Sequence, residues 1–143
     1  MTEISRSALV MYSAEQMFDL VNDVRRYPEF LDGCQKTEVL NESENFIEAR
    51  LTISKSGFSQ SFSTHNDIVR PDRMVMKLLD GPFDTFEGIW RFTPLSEEAC
   101  KVSLDMNFTM ANKLKGAAMG LAFKQIANMM VDAFVKRAKV VYG

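Results

Sequence analysis

The hydrophobic period changes along this chain, and that change limits what it can fold into. Between residues 36 and 109, apolar side chains recur at every second position. Ile47, Ala49, Leu51 and Ile53 alternate with Glu48, Arg50 and Thr52. Phe58, Phe62 and Ile68 share a parity with Gln60 and Thr64, while Ser59, Ser61, Ser63, His65 and Asp67 occupy the other. Met74, Met76 and Leu78 lie opposite Lys77, and Phe86, Gly88, Trp90 and Phe92 oppose Glu87 and Arg91. Cys100, Val102, Leu104, Met106 and Phe108 alternate with Lys101, Ser103, Asp105 and Asn107. One dry face and one wet face at period two is the pattern of antiparallel strands. Turn signals at Ser56-Gly57, Pro71-Asp72, Gly81-Pro82 and Pro94 divide the runs.

From Asn112 the step becomes three or four. Gly116, Met119, Gly120, Phe123, Ala127, Met130, Phe134, Ala138 and Val141 form one stripe. The spacing predicts a helix of about 31 residues, roughly 46 Å long at 1.5 Å per residue. Only a curved sheet of several strands offers an apolar surface long enough to cradle it. Before the sheet, Ile4 to Val10 reads as a strand, and Ser13 with Gln16 reads as a capping box opening a helix through Met17, Leu20, Val21 and Val24. Pro28 predicts an extended Tyr27 and a turn or second short helix over Tyr27 to Gly33. The order is strand, one or two helices, six strands, one long helix, which is an α+β fold. With 143 residues and no linker-like stretch, residues 1–143 form a single domain. A core of that size needs neither disulfide nor metal.

Enzyme signatures are mostly absent from the sequence. His65 is the single histidine and falls on the wet parity of its strand, so it reads as a solvent-facing residue. No strained nucleophile turn and no phosphate-binding glycine loop is present. Carboxylates are scattered over wet faces, so no catalytic residue is assigned. Cys34 and Cys100 lack metal-ligand spacing and read as free thiols of a reducing cytoplasm. No apolar run approaches the ~18 residues of a membrane span, and no secretory leader is visible.

Charge is uneven. Residues 1–110 hold eleven basic and eighteen acidic side chains, whereas residues 111–143 hold Lys113, Lys115, Lys124, Lys136, Arg137 and Lys139 against Asp132 alone. A basic segment on an acidic body marks either a solvated helix face or an anionic partner, RNA or membrane surface. Lys124, Lys136 and Lys139 are the candidate partner-binding residues; Arg137 lies nearer the apolar boundary. No DNA partner is expected.

The inward parity is rich in aromatics and methionine, ten Met in all. Candidate pocket-lining residues are Phe62, Met76, Phe86, Gly88, Trp90 and Phe92 on the strands, with Met106. The long helix adds Met119, Gly120, Phe123 and Met130. Gly116 and Gly120 each cost the helix ~1 kcal/mol against alanine. Close approach of helix to sheet and room for a ligand between them explain the pair equally well. An apolar, aromatic-lined pocket is the usual form of a small-molecule site. Gln60 and Thr64 are among the candidate hydrogen-bond partners for a ligand.

Three segments together carry a resemblance over nearly the whole chain. The first is Val21-Asn22-Asp23-Val24, Tyr27-Pro28-Glu29-Phe30-Leu31 and Gly33-Cys34. The second is Asp80-Gly81-Pro82-Phe83 with Phe86, Gly88, Trp90, Phe92, Pro94 and Leu95. The third is Met130-Val131, Ala133-Phe134, Arg137-Ala138 and Val141-Tyr142. They resemble the family of bacterial ribosome association toxins and mitochondrial coenzyme Q-binding START-domain proteins, within the polyketide cyclase/dehydrase superfamily. Asp32 departs from it, standing where the family commonly has proline. The resemblance implies a START-like helix-grip fold: a curved antiparallel sheet of about seven strands wrapped around the C-terminal helix over a deep apolar cavity. It implies two functions. The leading expectation is a non-enzymatic binder of ubiquinone or a similar polyprenyl lipid, supporting respiration, with no cofactor other than that ligand. The alternative is a ribosome association toxin that binds the large ribosomal subunit and blocks subunit joining. A polyketide cyclase-like enzyme is a distant third. The expected location is the cytoplasm, with transient contact at the anionic face of the inner membrane.

Overall fold

The computed structural model describes residues 1–55, 57–111 and 113–143; the side chains of residues 58 and 113–117 lie outside the described set. The expectations placed on Phe58, Lys113, Lys115 and Gly116 therefore fall outside the described residues, as does the helix start at Asn112.

Seven antiparallel strands form one sheet. They are β1 (Thr2–Val10), β2 (Cys34–Glu42), β3 (Phe46–Lys55), β4 (Phe58–Val69), β5 (Arg73–Asp80), β6 (Phe83–Ser96) and β7 (Ala99–Met110). Their order across the sheet is β1-β7-β6-β5-β4-β3-β2. Strands β2 to β7 are a simple meander, because each turn signal joins neighbours. β1 closes the other side by pairing with β7, from Thr2 opposite Phe108 to Val10 opposite Cys100. Helix α1 (Ala14–Asn22) and a short 3-10 helix (Val24–Glu29) separate β1 from β2, and α2 (Lys113–Tyr142) ends the chain.

The local signals act as their chemistry requires. Ser13 Oγ accepts from the Gln16 amide at 3.1 Å while Gln16 Oε1 accepts from the Ser13 amide at 2.9 Å. This reciprocal box satisfies two otherwise orphaned donors at the start of α1. Met17, Phe18 and Val21 then face inward and are fully buried. Tyr27 is not extended as its position before proline predicts; it lies within the 3-10 helix. Its buried ring packs edge-on to Phe30 and Phe134, and its hydroxyl donates to the Val21 carbonyl. That tertiary anchoring overrides the local bias against helical backbone before Pro28. At Gly33 the chain takes φ +88°, a conformation that glycine adopts without penalty, and turns into β2. Beside it, Asp32 pairs with Lys55 at 3.0 Å.

The sheet curves around α2. Trp90, Phe92, Val102, Leu104 and Phe108 on its concave face are buried against Phe134, Ala127, Val131 and Ala138 of the helix, while Glu87 and Arg91 stay outside. The helix buries a wider arc than one narrow stripe, since Ala122, Ile126 and Val131 are also enclosed. A sheet that wraps a helix covers it from more than one side. Val141, predicted on the stripe, is instead 48% exposed, while Tyr142 next to it donates to the Gln16 carbonyl and packs near the Tyr12 ring.

Candidate ligand cavity

Between the middle of α2 and the concave face lies a cavity of about 50 Å³. Its sheet wall is Phe62, Met74, Met76, Phe86, Trp90 and Met106, with Leu51 and Ile53 of β3. Phe123, Ile126, Ala127 and Met130 of α2 form the opposite wall, and Val24, Tyr27, Leu31 and Cys34 close one end. A water needs ~10–15 Å³ of such space, whereas drug-sized ligands occupy ~300–1,000 Å³. The cavity thus has room for no more than a few waters as it stands, and a larger guest enters only if side chains withdraw. Four of its wall residues are methionines, whose unbranched thioethers repack readily.

A smaller void of about 20 Å³ adjoins this one and shares Ile53, Phe62 and Phe123 with it. Its other walls include Lys55, Gln60, Pro82, Phe83, Met110 and Met119. Phe62 and Phe123 meet edge-to-face at 5.5 Å, and Phe83 and Phe86 pack on both. Phe62 and Phe123 are thus aromatic walls common to the two voids.

Seven of the eleven sequence-derived pocket residues line the main cavity: Phe62, Met76, Phe86, Trp90, Met106, Phe123 and Met130. The structure places four elsewhere. Gly88 shares the inward face, but the Met76 methyl fills the space beside it, 2.6 Å from where a Cβ would stand. Phe92 lies further along β6, stacked near Trp90 at 6.3 Å and edge-on to Phe18 at 5.6 Å, so it is core under α1. Met119 borders only the smaller void. At Gly120 a Cβ would meet Met110 Cγ at 3.1 Å, so this helical glycine serves the close approach of α2 to β7. Of the two polar residues named from parity, Thr64 is buried on the cavity wall and Gln60 is an exposed border of the smaller void.

Sequence reasoning missed Asn66. It continues the Phe62–Thr64 parity of β4 and is 5% exposed on the cavity wall. Its Oδ1 is buried without a hydrogen-bond partner. An unpaired buried acceptor costs about 1–3 kcal/mol. Reading the parity through Ile68 would have found it: a polar residue in an inward series is itself a signal.

The wall carries no carboxylate, imidazole, amine or guanidinium. Its titratable groups are Tyr27 and Cys34. Burial raises the Tyr27 phenol far above its ordinary range and pushes the Cys34 thiol up to about 11, so both are neutral at physiological pH. His65 sits on the outer face, with Nδ1 2.7 Å from Glu48, Nε2 3.0 Å from Asp67 and Phe46 stacked on its ring. No serine or cysteine nucleophile bonds to it among the described residues. Lys124, Lys136 and Lys139 are all exposed on α2, with Asp132 one turn before Lys136. Arg137 differs: it is 17% exposed, pairs with Glu29 at 3.0 Å and lies over the Phe30 ring at 5.0 Å. It fastens α2 to the 3-10 segment.

A sheet gripping a long helix across an apolar cavity defines a START-like helix-grip domain. The chain belongs to the polyketide cyclase / dehydrase and lipid transport family, which matches residues 10–135. It is 50% identical over 143 residues to the ribosome association toxin RatA of Vibrio cholerae serotype O1, covering 100% of this chain and 99% of that protein. It is 28% identical to the mitochondrial coenzyme Q-binding protein COQ10 homolog B of Xenopus laevis, over 99% of this chain and 59% of the relative. Among solved structures, the Zhui aromatase/cyclase from Streptomyces sp. R1128 superposes with a TM-score of 0.83 at 17% identity, over 96% of this chain and 93% of that one. A START superfamily protein from Mycobacterium smegmatis gives 0.81 at 18% identity, over 97% and 98%. Those two likenesses show the fold alone. No helix among the described residues is long and apolar enough to cross a membrane.

Proposed function

We propose that this protein associates with the ribosome, as the relatives that share half its residues over the full chain are named to do. That end-to-end identity of 50% carries the reading, and it reverses the order of the two functions expected from the sequence. On this chain the surface for it is the exposed side of α2. Lys124 and Lys139 stand about 22 Å apart along the helix, with Lys136 between them. Contacts from such lysines to phosphates weaken steeply as salt rises. The test is sedimentation of the purified chain with isolated large ribosomal subunits through sucrose at low and high salt. Co-sedimentation at low salt, its loss at high salt, and a smaller fraction of joined ribosomes when small subunits are added are the expected results. Free protein at every salt, with subunit joining unchanged, would overturn the proposal.

The cavity favours a second reading: binding of an apolar, ring-bearing ligand of the ubiquinone class. Support comes from a wall of aromatic rings and methionines and from the name of the COQ10 relative. The two readings use different surfaces and do not compete for residues. The wall's apolar character, without carboxylate, imidazole, amine or guanidinium, supports ligand binding ahead of cyclase chemistry.

A further inference from the structure

The second half of α2 carries an apolar edge that the grip does not use. Phe134 and Ala138 are fully buried in the core, whereas Met129 is 53% exposed and Val140 76% exposed. Both border an open groove of about 460 Å³ between α2 and residues 29–32, with Phe30, Leu31, Ile126 and Ala133 along it. Met129, Ala133, Lys136 and Val140 follow steps of four, three and four, so they form one line on the helix surface. Asp132 and Lys139 flank that line on one side. Asp132, Lys136 and Lys139 are exposed, and none of them has an ion-pair partner within the chain among the described residues. A second copy laid parallel on this edge would set Asp132 against Asp132 and Lys136 against Lys136, like on like. An antiparallel copy meets it differently. A two-fold axis between positions 134 and 135 sets Met129 against Val140 of the second copy and Ala133 against its Lys136. The same axis puts Asp132 level with the space between Lys136 and Lys139 of the second copy. Met129 and Val140 lie eleven residues apart, about three turns or 16.5 Å, so one axis serves every pair.

We propose that this face of α2 is a self-association surface, on which two copies of the chain pack their helices antiparallel. The contact is isologous, so the same patch meets itself and each pair is made twice. Met129 and Val140 of opposite copies cover each other, and each Asp132 gains two lysines. Opposite charges beside an apolar seam set both the partner and the orientation of a helix pair. The small Ala133 leaves room for the stem of Lys136, whose methylenes cover apolar surface while the ammonium reaches the rim. A patch three turns long is small beside the ~1,200–2,000 Å² of stable interfaces, so the dimer forms with rising concentration and dissociates on dilution. The contact covers Lys136 and Lys139, so the dimer competes with a ribosome that binds through those lysines. Self-association itself depends neither on that reading nor on a ligand in the cavity.

The experiment is sedimentation-velocity ultracentrifugation of the full chain between about 1 μM and about 300 μM. The wild type should shift from monomer toward dimer as concentration rises. Asp132→Lys leaves positions 132, 136 and 139 all cationic, and Lys136→Glu with Lys139→Glu leaves them all anionic. Each of these variants should stay monomeric alone, and the two mixed in equal amounts should form the dimer again. Met129→Ser leaves the charges untouched and should weaken the dimer, so the seam is still tested if a charge variant fails to fold. A wild type that is monomeric at every concentration overturns the proposal and leaves the groove to a chain of another sequence. A dimer that all the variants retain places self-association on a different face and overturns it equally. Charge variants that are monomeric alone and remain so when mixed refute the antiparallel pairing.

Discussion

Met76 and Gly88 stand opposite each other across the β5–β6 pair, and the Met76 methyl lies 2.6 Å from the point a Cβ on residue 88 would occupy. The absent side chain at 88 therefore decides where a methionine of the cavity wall rests. Gly88→Ala should push that methyl toward the cavity and shrink its void. Overpacking of this kind costs about 1–3 kcal/mol. Combined with Met76→Ala, which removes the clashing atoms, the alanine at 88 should cost less than it does alone, a non-additivity expected of residues in contact. Denaturant melts of the two single variants and the double variant measure it. Strict additivity would mean the two do not share this space.

Trp90 is the only tryptophan, lines the cavity, and lies edge-on to Phe134 at 5.4 Å. A quinone entering the cavity comes within contact of the indole. Adding a short-chain ubiquinone should quench Trp90 emission saturably. Emission unchanged at saturating quinone would show that the wall residues keep the space filled and would sink the ligand reading.

Lys136 and Arg137 are adjacent in sequence and differ in physical role. Lys136→Glu with Lys139→Glu alters exposed side chains and should change stability by no more than ~0.5 kcal/mol. Its effect belongs on ribosome co-sedimentation, which should fall. Arg137→Ala removes the pair with Glu29 and the cover over Phe30, and should cost about 1 kcal/mol. Thermal melts of both variants beside the sedimentation assay separate the effects. A double glutamate variant that melts well below the wild type would mean these lysines hold the fold.

His65 provides a pH signature. The hydrogen bond to Glu48 raises its pKa above the ordinary 6.5, opposed by partial desolvation and helped by Asp67. The folded state thus holds the proton more tightly than the unfolded chain. The resulting stabilisation is complete below the unfolded value of about 6.5 and is lost as pH rises through the folded pKa. The Asp67 carboxylate is shifted the other way, downward, by the same imidazole and by Lys77. Because His65 is the sole histidine, one ring resonance in an NMR titration reports the midpoint directly. A midpoint at or below 6.5 would show that the outer-face cluster does not persist in solution.

Periodicity, which is local, determined much of this protein. The steps of two and of three to four in the apolar residues, the Ser13–Gln16 box and the turn dipeptides place seven strands and the long helix in order. They also predict which parity of β6 and β7 is buried. Parity reports only the side of a sheet on which a side chain lies. Depth along a curved sheet, and the partner met there, depend on strand register and on where α2 crosses. Hence Trp90 and Phe92, alike in sequence pattern, divide between cavity wall and the core beneath α1. The same holds for the helical glycine Gly120, which meets Met110 at a point outside both voids. Tyr27 keeps helical backbone before proline because a buried ring outweighs a local preference. Asn66 acquires its meaning only from the fold: in sequence it is one more polar residue, and tertiary packing places it on the cavity wall with its oxygen buried and without a partner.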